Sequence, residues 1–326
     1  MSEVYDGAFR SIINKCCKFV LPFINEAFGE CYSGNEQIVF YPNEHFIIQN
    51  EDADKRRITD TNFTVIGEEK KNYHLECESS PYSDNMLLRI FESDTQIALD
   101  NSKVTEDAIT VSLPHTAILY LRSNRKTPKK LKISIEVPGG KHVSYNVPVV
   151  KMKSYTIEQI FEKKLYMLIP FYIFNFEKEL PACDKNEEKL KILESKFQQI
   201  SDRLIGLRDK GEITALEYNT IASLSKDVIK QIAKKYKSVS KGVGDIMRGP
   251  MIITEGMKIY DEGVKIGIEK GIEQGITQGE INGIMKQQIE TAKIMIFDGI
   301  SDENIIKYSG ISPEKLEELK AEIAKS

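Results

Sequence analysis

Residues 60–89 read DTNFTVIGEEKKNYHLECESSPYSDNMLLR, and this stretch decides the fold that we expect. Two runs of alternating apolar and polar residues flank a turn-like segment at 67–72, and a helical run follows them. Side chains alternate between the two faces of a strand, so the pattern predicts a β-hairpin with one apolar and one polar face. In the first strand Phe63 and Val65 would lie on the apolar face.

The polar face of this hairpin collects acidic side chains. In the second strand His74, Glu76 and Glu78 would share that face, with Leu75 and Cys77 on the other. Antiparallel pairing about the turn would bring Asp60, which opens the first strand, to the far end of the second. Three carboxylates would then converge at one place.

Carboxylates that lie so close repel one another, so one must hold a proton or the group must bind a cation. Oxygen ligands suit Mg²⁺ or Mn²⁺ better than Zn²⁺. Such an ion polarises a phosphate and lowers the pKa of an attacking water, which is the chemistry of phosphodiester hydrolysis. The same residues also fit an ordinary polar sheet face with solvated acids, and their spacing alone does not choose between the two.

A wider set of motifs resembles a known family. An acid opens one strand, LECES (75–79) follows on the next, and Asp84, Met86 and Arg89 come on the following helix. This order is similar to the PD-(D/E)XK nuclease superfamily, and specifically to its recombination-promoting nuclease and transposase-associated branch. The likeness covers nearly the whole chain, including YDGAFR (5–10), LPHTAILYLR (113–122), the long segment 145–177 and the glycine-repeat tail.

The resemblance implies a Mg²⁺- or Mn²⁺-dependent DNA endonuclease linked to recombination or mobile elements. Its candidate catalytic residues are Asp60, Glu76, Glu78 and Arg89, and its candidate metal ligands are Asp60, Glu76, Glu78 and Asp6. Asp6 also suits a simple helix cap, since it lies just before a helical run. Arg89 also suits a surface ion pair, for example with Glu92.

Glu78 departs from the family pattern. It stands where the motif has a lysine, often glutamine in this branch, and an ionised carboxylate cannot donate a hydrogen bond. Glu78 would therefore hold a second metal, orient water, or mark a site without activity. The alternative function is accordingly a catalytically inactive nuclease-fold DNA-binding or assembly module, and a protein-interaction factor unrelated to DNA is a third.

Composition sets broad limits. The 326 residues, 41% hydrophobic and 29% charged, are typical of a globular protein with a sizeable core. No apolar run approaches the roughly 20 residues of a membrane span and no secretion signal precedes the first helix, so we expect a cytoplasmic protein with no membrane partner. The five cysteines form no CxxC pair and are expected to be free thiols. The net charge of −4 leaves two local basic runs, 55–57 and 121–132, as candidate DNA contacts.

The expected fold class is α/β, a restriction-endonuclease-like mixed sheet flanked by helices, followed by an all-α C-terminal region with a long glycine-repeat helix. We expect a nuclease-like domain at 1–180, a helical extension at 181–250, the glycine-repeat helix at 251–288 and a small helical tail at 289–326.

Segment 156–180 has the pattern of one amphipathic aromatic helix capped by Thr156, and its aromatic residues are interpreted as core rather than as base-stacking groups. Pro22 is expected to kink or end the first helix, and Gly139-Gly140 to form a hairpin turn. The tail is expected to form three short helical segments.

Glycines recur at every fourth position from Gly263 to Gly283. Interior glycines weaken a helix. A row of glycines along one side of a helix lacks side chains there, and this indicates that a second backbone packs closely against it. We therefore predict a homodimer through this helix. A flexible linker is the alternative.

Overall fold

The computed structural model describes residues 3–41, 44–47, 55–58, 61–80, 85–247 and 287–323. The chain divides into two compact units, Met1–Ile252 and Ile253–Ser326. The strands are β1 (Gln37–Phe40), β2 (Glu44–Ile47), β3 (Lys55–Ile58), β4 (Thr61–Ile66), β5 (Lys70–Glu78), β6 (Lys103–Val104), β7 (Ile109–Thr110), β8 (His115–Tyr120), β9 (Lys130–Val137) and β10 (Lys141–Lys151). The α-helices are α1 (Glu3–Lys15), α2 (Val20–Phe28), α3 (Asn85–Asp100), α4 (Ile157–Glu162), α5 (Leu180–Lys185), α6 (Glu187–Asp209), α7 (Ala215–Ile232), α8 (Lys237–Ile246), α9 (287–297), α10 (Asp302–Ser309) and α11 (Pro313–Ile323).

A mixed six-stranded sheet forms the centre of the first unit, in the order β1-β4-β5-β8-β10-β9. The three strands β5, β8 and β10 run parallel, and the remaining neighbours pair antiparallel. Helix α3 makes the crossover between the parallel neighbours β5 and β8. The first unit is therefore an α/β fold, as the alternation of strand and helix patterns predicts.

The predicted hairpin is confirmed. Strands β4 and β5 pair from Thr61 opposite Leu75 to Ile66 opposite Lys70, and the chain turns at 67–69. A second hairpin joins β9 to β10, where Gly139 and Gly140 both adopt positive φ angles of 89° and 76°. Glycine tolerates this backbone region and so allows the tight turn.

Two hydrophobic cores lie on opposite faces of the sheet. In β8, Ala117 and Leu119 pack into the larger core, whereas Ile118 and Tyr120 pack into the smaller one. The larger core is covered by α1, α2 and the helices from α4 to α8. Helix α3 covers the smaller core, where its residue Ile90 is fully buried. The period-two alternation of β8 thus holds a separate helical layer on each face.

Helices α1 and α2 differ from the expected pattern at their junction. We expected Pro22 to kink or end the first helix, but α1 ends at Lys15 and α2 begins at Val20. Pro22 lies in the first turn of α2, where backbone N–H groups have no helical acceptor in any case, so the missing N–H costs little.

The aromatic segment 156–180 is not one helix. Thr156 caps α4 through a capping box with Gln159, as its position predicts. Lys164 then adopts a left-handed conformation with φ of 55°, and Tyr166–Phe176 form a 3₁₀ helix. Its aromatic side chains are buried in the larger core, which confirms their interpretation as core: Tyr166, Phe171, Tyr172, Phe174 and Phe176.

Residues 287–323 form three helical segments, as predicted for the tail. Helix α9 ends at a turn where Gly299 has a φ of 69°, and α10 ends at Gly310 with a φ of 74°. Ser301 stands at the N-cap position of α10, and the Ser312 hydroxyl accepts a hydrogen bond from the Lys315 N–H at the start of α11. The glycine repeat from Gly263 to Gly283 lies outside the described residues, so the homodimer stays a prediction.

Among the helices that the structure describes, none combines the length and apolar character needed to cross a membrane.

Candidate functional site

The carboxyl end of the central strand β5 carries the predicted polar face. Leu75 and Cys77 are buried in the larger core, whereas His74, Glu76 and Glu78 lie on the side of the sheet that α3 covers. Both glutamates are nearly inaccessible, with exposed fractions of 6% and 5%. The alternation predicted from the sequence is confirmed, and it buries two carboxylates side by side.

Arg89 joins these two carboxylates. From the second turn of α3 its Nη1 donates to Glu78 Oε2 at 3.1 Å, and its Nη2 lies 3.5 Å from Glu76 Oε2. The second oxygen of Glu78 accepts a hydrogen bond from the Ser80 N–H at 2.7 Å. Arg89 therefore pairs with both candidate site acids and keeps 40% of its side chain exposed. The described contacts therefore connect Arg89 to Glu76 and Glu78, and its part in a reaction stays a prediction.

His74 is fully buried between two acids. Its Nδ1 lies 2.7 Å from Asp94 Oδ1 and its Nε2 lies 3.0 Å from Glu76 Oε1. Burial by itself would lower the pKa of His74, but the hydrogen bonds and negative charges of Asp94 and Glu76 outweigh burial and raise it to about 10. His74 is thus an imidazolium at neutral pH and donates to both carboxylates.

Asp94 ties α3 to three strands of the sheet. Besides His74 on β5, its Oδ1 accepts a hydrogen bond from Thr116 Oγ1 on β8 at 2.6 Å, and its Oδ2 accepts one from the Tyr145 hydroxyl on β10 at 3.2 Å. Burial, with the negative charge of Asp94, raises the pKa of Tyr145, which keeps its hydroxyl proton for this bond. The carboxylate of Asp94 has no exposed surface, and these donors compensate its burial.

Sequence reasoning missed Asp94, Thr116 and Tyr145. A signal was present for Asp94, since it follows Met86 and Ile90 at four-residue steps along the buried stripe of α3. An acid on such a stripe indicates a buried, partnered carboxylate. No comparable local signal marks Thr116 or Tyr145, whose strands meet Asp94 only after the sheet assembles.

Asp6 lies within α1 rather than ahead of it, so its interpretation as a helix cap is wrong. Burial raises the pKa of its carboxyl, and the negative charges of Glu78 and Glu76 raise it further. Its Oδ1 is buried, and among the described residues no donor reaches it. A buried carboxyl oxygen without a hydrogen-bond donor is stabilised when the carboxyl binds a proton or when a cation lies next to the oxygen.

Asp60 and Asp84 lie outside the described residues. The residue after Asp60, Thr61, is buried and pairs with Leu75, one position before Glu76. The convergence of Asp60 with Glu76 therefore stays a prediction.

Two observations bear on whether these residues fit a divalent cation. Within the described ranges, no three histidine, cysteine, aspartate or glutamate side chains form a group that could hold a metal ion. The Oδ1 of Asp6 has no hydrogen-bond donor among the described residues; burial raises the pKa of this carboxyl, the positive charge of Arg10 lowers it, and the negative charges of Glu78 and Glu76 raise it. The described residues thus offer carboxylate oxygens, the kind of ligand that hard ions prefer, but they do not form a complete metal site among themselves.

The basic run 121–132 begins at this same edge of the sheet. Leu121 N–H donates to the Glu78 carbonyl at 2.9 Å, and Arg122 Nη1 donates to the Ser79 carbonyl at 2.6 Å. Arg122 is also paired with Glu177 at 2.7 Å. Further along the run several side chains are exposed: Arg125, Lys126, Lys129, Lys130 and Lys132.

No protein-family model, no curated protein and no solved structure was found to match this chain.

The raised pKa of His74 predicts a pH-dependent stability. An unfolded histidine titrates near pH 6.5, so between about 6.5 and 10 the folded chain holds the proton and the unfolded chain does not. The free energy of unfolding should therefore fall as pH rises through this window, by at most about 1.4 kcal/mol per pH unit from this group. Urea unfolding at several pH values checks this, with His74→Gln as the control that lacks the contribution. Equal slopes in the two proteins would contradict it.

Proposed function

We propose that this chain is a Mg²⁺-dependent DNA endonuclease with a restriction-endonuclease-like PD-(D/E)XK core. The observation that carries the proposal is the pair Glu76 and Glu78, buried side by side at the carboxyl end of β5, where their negative charges also raise the pKa of the Asp6 carboxyl. In open α/β sheets, ligands bind at the carboxyl ends of the strands. The acids therefore lie where a reaction site of this fold class is expected.

In this proposal Glu76, Glu78 and Asp6, with Asp60, would hold the cation. The cation, when bound, would polarise the scissile phosphate and lower the pKa of the attacking water. Glu78, as a carboxylate in place of lysine or glutamine, would accept a hydrogen bond from water and orient it rather than donate to it. Arg89, partly exposed beside both glutamates, would meet a phosphate oxygen through charge-assisted hydrogen bonds.

The basic run supports DNA as the substrate class. It begins directly after β8, the strand that pairs with β5, and continues through Arg125 and exposed lysines, so it would follow a phosphate backbone away from the acids. The acidic total charge does not oppose this, because a local cationic patch is sufficient for phosphate contacts. Binding through this run should weaken steeply with added salt.

Cleavage of supercoiled plasmid tests the proposal. We expect nicked product with Mg²⁺ or Mn²⁺ and none with EDTA, and we expect Asp60→Ala to abolish the product. A preparation that cleaves equally well in EDTA, or whose metal-dependent cleavage survives Asp60→Ala unchanged, would count against it.

A second candidate is a non-catalytic DNA-binding or assembly module on the same fold. It is favoured by the bonds of the two glutamates, since all four of their carboxylate oxygens already contact protein donors: His74, Arg89 for one oxygen of each glutamate, and the Ser80 N–H. Under this candidate Arg89 and His74 satisfy the acids permanently and no cation enters. A protein that binds DNA with an affinity that falls as salt is added, and that binds no Mn²⁺, would support the non-catalytic module.

Arg89→Gln separates the two candidates. Removing the guanidinium leaves Glu76 and Glu78 next to each other without their shared cation, so we expect a loss of about 1–2 kcal/mol in the free energy of unfolding. If a divalent ion can occupy the site, Mg²⁺ should raise the melting temperature of the variant more than that of the wild type. Differential scanning fluorimetry with and without Mg²⁺ measures both effects.

The matched control for this variant is Arg125→Gln, which changes an exposed arginine of the loop after β8. It should stay within about 0.5 kcal/mol of the wild type. A melting temperature of Arg89→Gln that Mg²⁺ leaves unchanged would favour the non-catalytic module.

A further inference from the structure

Positive charge is concentrated in one stretch of the chain. Positions 108–157 hold nine lysines and arginines and a single acid, Glu136, although the whole chain has a net charge of −4. Five of these cations fall within eight positions and are exposed: Arg125, Lys126, Lys129, Lys130 and Lys132. Among the described residues no acid forms an ion pair with these five, whereas Arg122 before them is paired with Glu177. Like charges this close repel one another, so the stretch suits a polyanionic partner.

The β9–β10 hairpin, which forms much of this stretch, has two different faces. Leu131, Ile133 and Val147 pack into the smaller core beneath α3. The opposite face, which we call the open hairpin face, carries seven exposed polar side chains: Lys130, Lys132, Ser134, Glu136, His142, Ser144 and Asn146. Their exposure shows that no described helix covers this face. The register sets the two strands of the face directly side by side, with Lys132 opposite Asn146.

The open hairpin face fits a DNA duplex in chemistry and in shape. Lysine, serine and asparagine are among the side chains that donate hydrogen bonds to phosphate oxygens. Lys130 and Lys132 lie two positions apart, about 6.8 Å along the strand axis, and successive phosphates of one DNA strand rise by about half that distance. The two strands of the hairpin lie about 4.8 Å apart, which is narrow enough for a major groove about 12 Å wide.

We propose that the open hairpin face, together with the exposed cations at 125–129, is a surface that holds duplex DNA. The inference rests on the proposed function for the choice of DNA. It adds that this surface is separate from the acids, because it lies on the side of the sheet opposite α3, whereas Glu76 and Glu78 lie on the side that α3 covers. Its lysines should therefore set the affinity for DNA and take no part in bond cleavage.

Fluorescence anisotropy of a labelled DNA duplex, titrated with the 326-residue chain at several salt concentrations, tests this surface. We expect the double variant Lys130→Gln/Lys132→Gln to reduce the slope of log affinity against log salt by about 2, since two phosphate contacts are lost. The matched control is Lys234→Gln/Lys235→Gln, which removes the same charge from two exposed lysines between α7 and α8. Its slope should stay within about 0.5 of the wild type. Equal slopes in the two double variants overturn the proposal.

A substitution with the opposite sign keeps the test decisive if the lysine variant fails to fold. Glu136 is exposed on the open hairpin face, opposite His142. Glu136→Lys replaces the acid of this face by a further cation, so we expect tighter binding and a slope that is larger by about 1. An unchanged or smaller slope for Glu136→Lys overturns the proposal.

Binding and cleavage together separate this surface from the proposed function. A wild type that binds the duplex with the expected slopes but cleaves no plasmid supports the surface and removes the nuclease. If plasmid is cleaved, Lys130→Gln/Lys132→Gln should raise the DNA concentration needed for half-maximal cleavage and keep the rate at saturating DNA within about twofold. A larger fall in that rate overturns the separation from the acids. A wild type without salt-dependent affinity for the duplex, or with equal affinity for a single strand of the same length, overturns the proposal.

Discussion

Asp94→Ala is expected to lower the free energy of unfolding by about 3–5 kcal/mol. The substitution removes the shared acceptor of His74, Thr116 and Tyr145, all of which donate to the carboxylate inside the protein. It leaves the buried imidazolium with Glu76 as its remaining acid partner and two hydroxyls without their acceptor, and unmatched buried groups of this kind are costly. Urea unfolding followed by circular dichroism measures the loss.

Asp100→Ala is the matched control, since Asp100 lies on the same helix but is exposed and accepts a hydrogen bond from Gln96. Its effect should stay below about 1 kcal/mol. Asp94→Asn, which keeps one acceptor oxygen but loses the charge, should fall between the two. A loss below 1 kcal/mol for Asp94→Ala would show that the network does not hold α3 to the sheet.

Glu76→Gln is expected to lower Mg²⁺-dependent plasmid cleavage by at least about 100-fold. The amide is neutral and offers one acceptor oxygen in place of two, so it satisfies either His74 or a cation at Oε2 but not both. The loss should appear in the rate at saturating Mg²⁺ as well as in the Mg²⁺ requirement. Single-turnover cleavage across a Mg²⁺ series separates the two.

Glu68→Gln is the control for this loss, because Glu68 lies exposed in the turn of the β4–β5 hairpin, at the opposite end of β5 from Glu78. It removes the same charge and should cleave at the wild-type rate. Glu76→Gln protein that is folded by circular dichroism and still cleaves within threefold of the wild type would remove Glu76 from the reaction.

Local periodicity accounts for what the sequence predicted correctly. The period-two pattern of β5 placed Leu75 and Cys77 in one core and His74, Glu76 and Glu78 on the opposite face, because the pleat of a strand imposes that alternation. Caps and turns are equally local, and the predicted Thr156 cap, the glycine turn at 139–140 and the tail helices are all confirmed.

The predictions that the structure contradicts concern features that depend on tertiary contacts. The single aromatic helix expected for 156–180 is a 3₁₀ segment between two short helices, because almost every side chain there is buried and no amphipathic stripe selects an α-helix. The sequence pattern predicts Asp6 ahead of its helix rather than within it, since no residue before Asp6 indicates where α1 begins. Local patterns alone did not locate these features.

From the sequence, only the part of the candidate site that lies on strand β5 could be predicted. The sequence places Arg89 on the helix after β5, but which acids it pairs with depends on how α3 crosses the sheet. The network of Asp94 joins residues 20 to 51 positions apart in sequence, from His74 to Tyr145, and needs three strands in register. Such long-range contacts leave no short sequence motif.

Equilibrium binding of Mn²⁺, followed by electron paramagnetic resonance of the free ion, tests whether the carboxyl end of β5 binds a divalent cation. We expect the 326-residue chain to bind Mn²⁺, Mg²⁺ to compete for the same site, and Glu76→Gln to weaken binding at least about tenfold. Glu68→Gln should bind as the wild type does. Absence of binding by the folded wild type, or equal binding by Glu76→Gln, would contradict a cation site at the carboxyl end of β5.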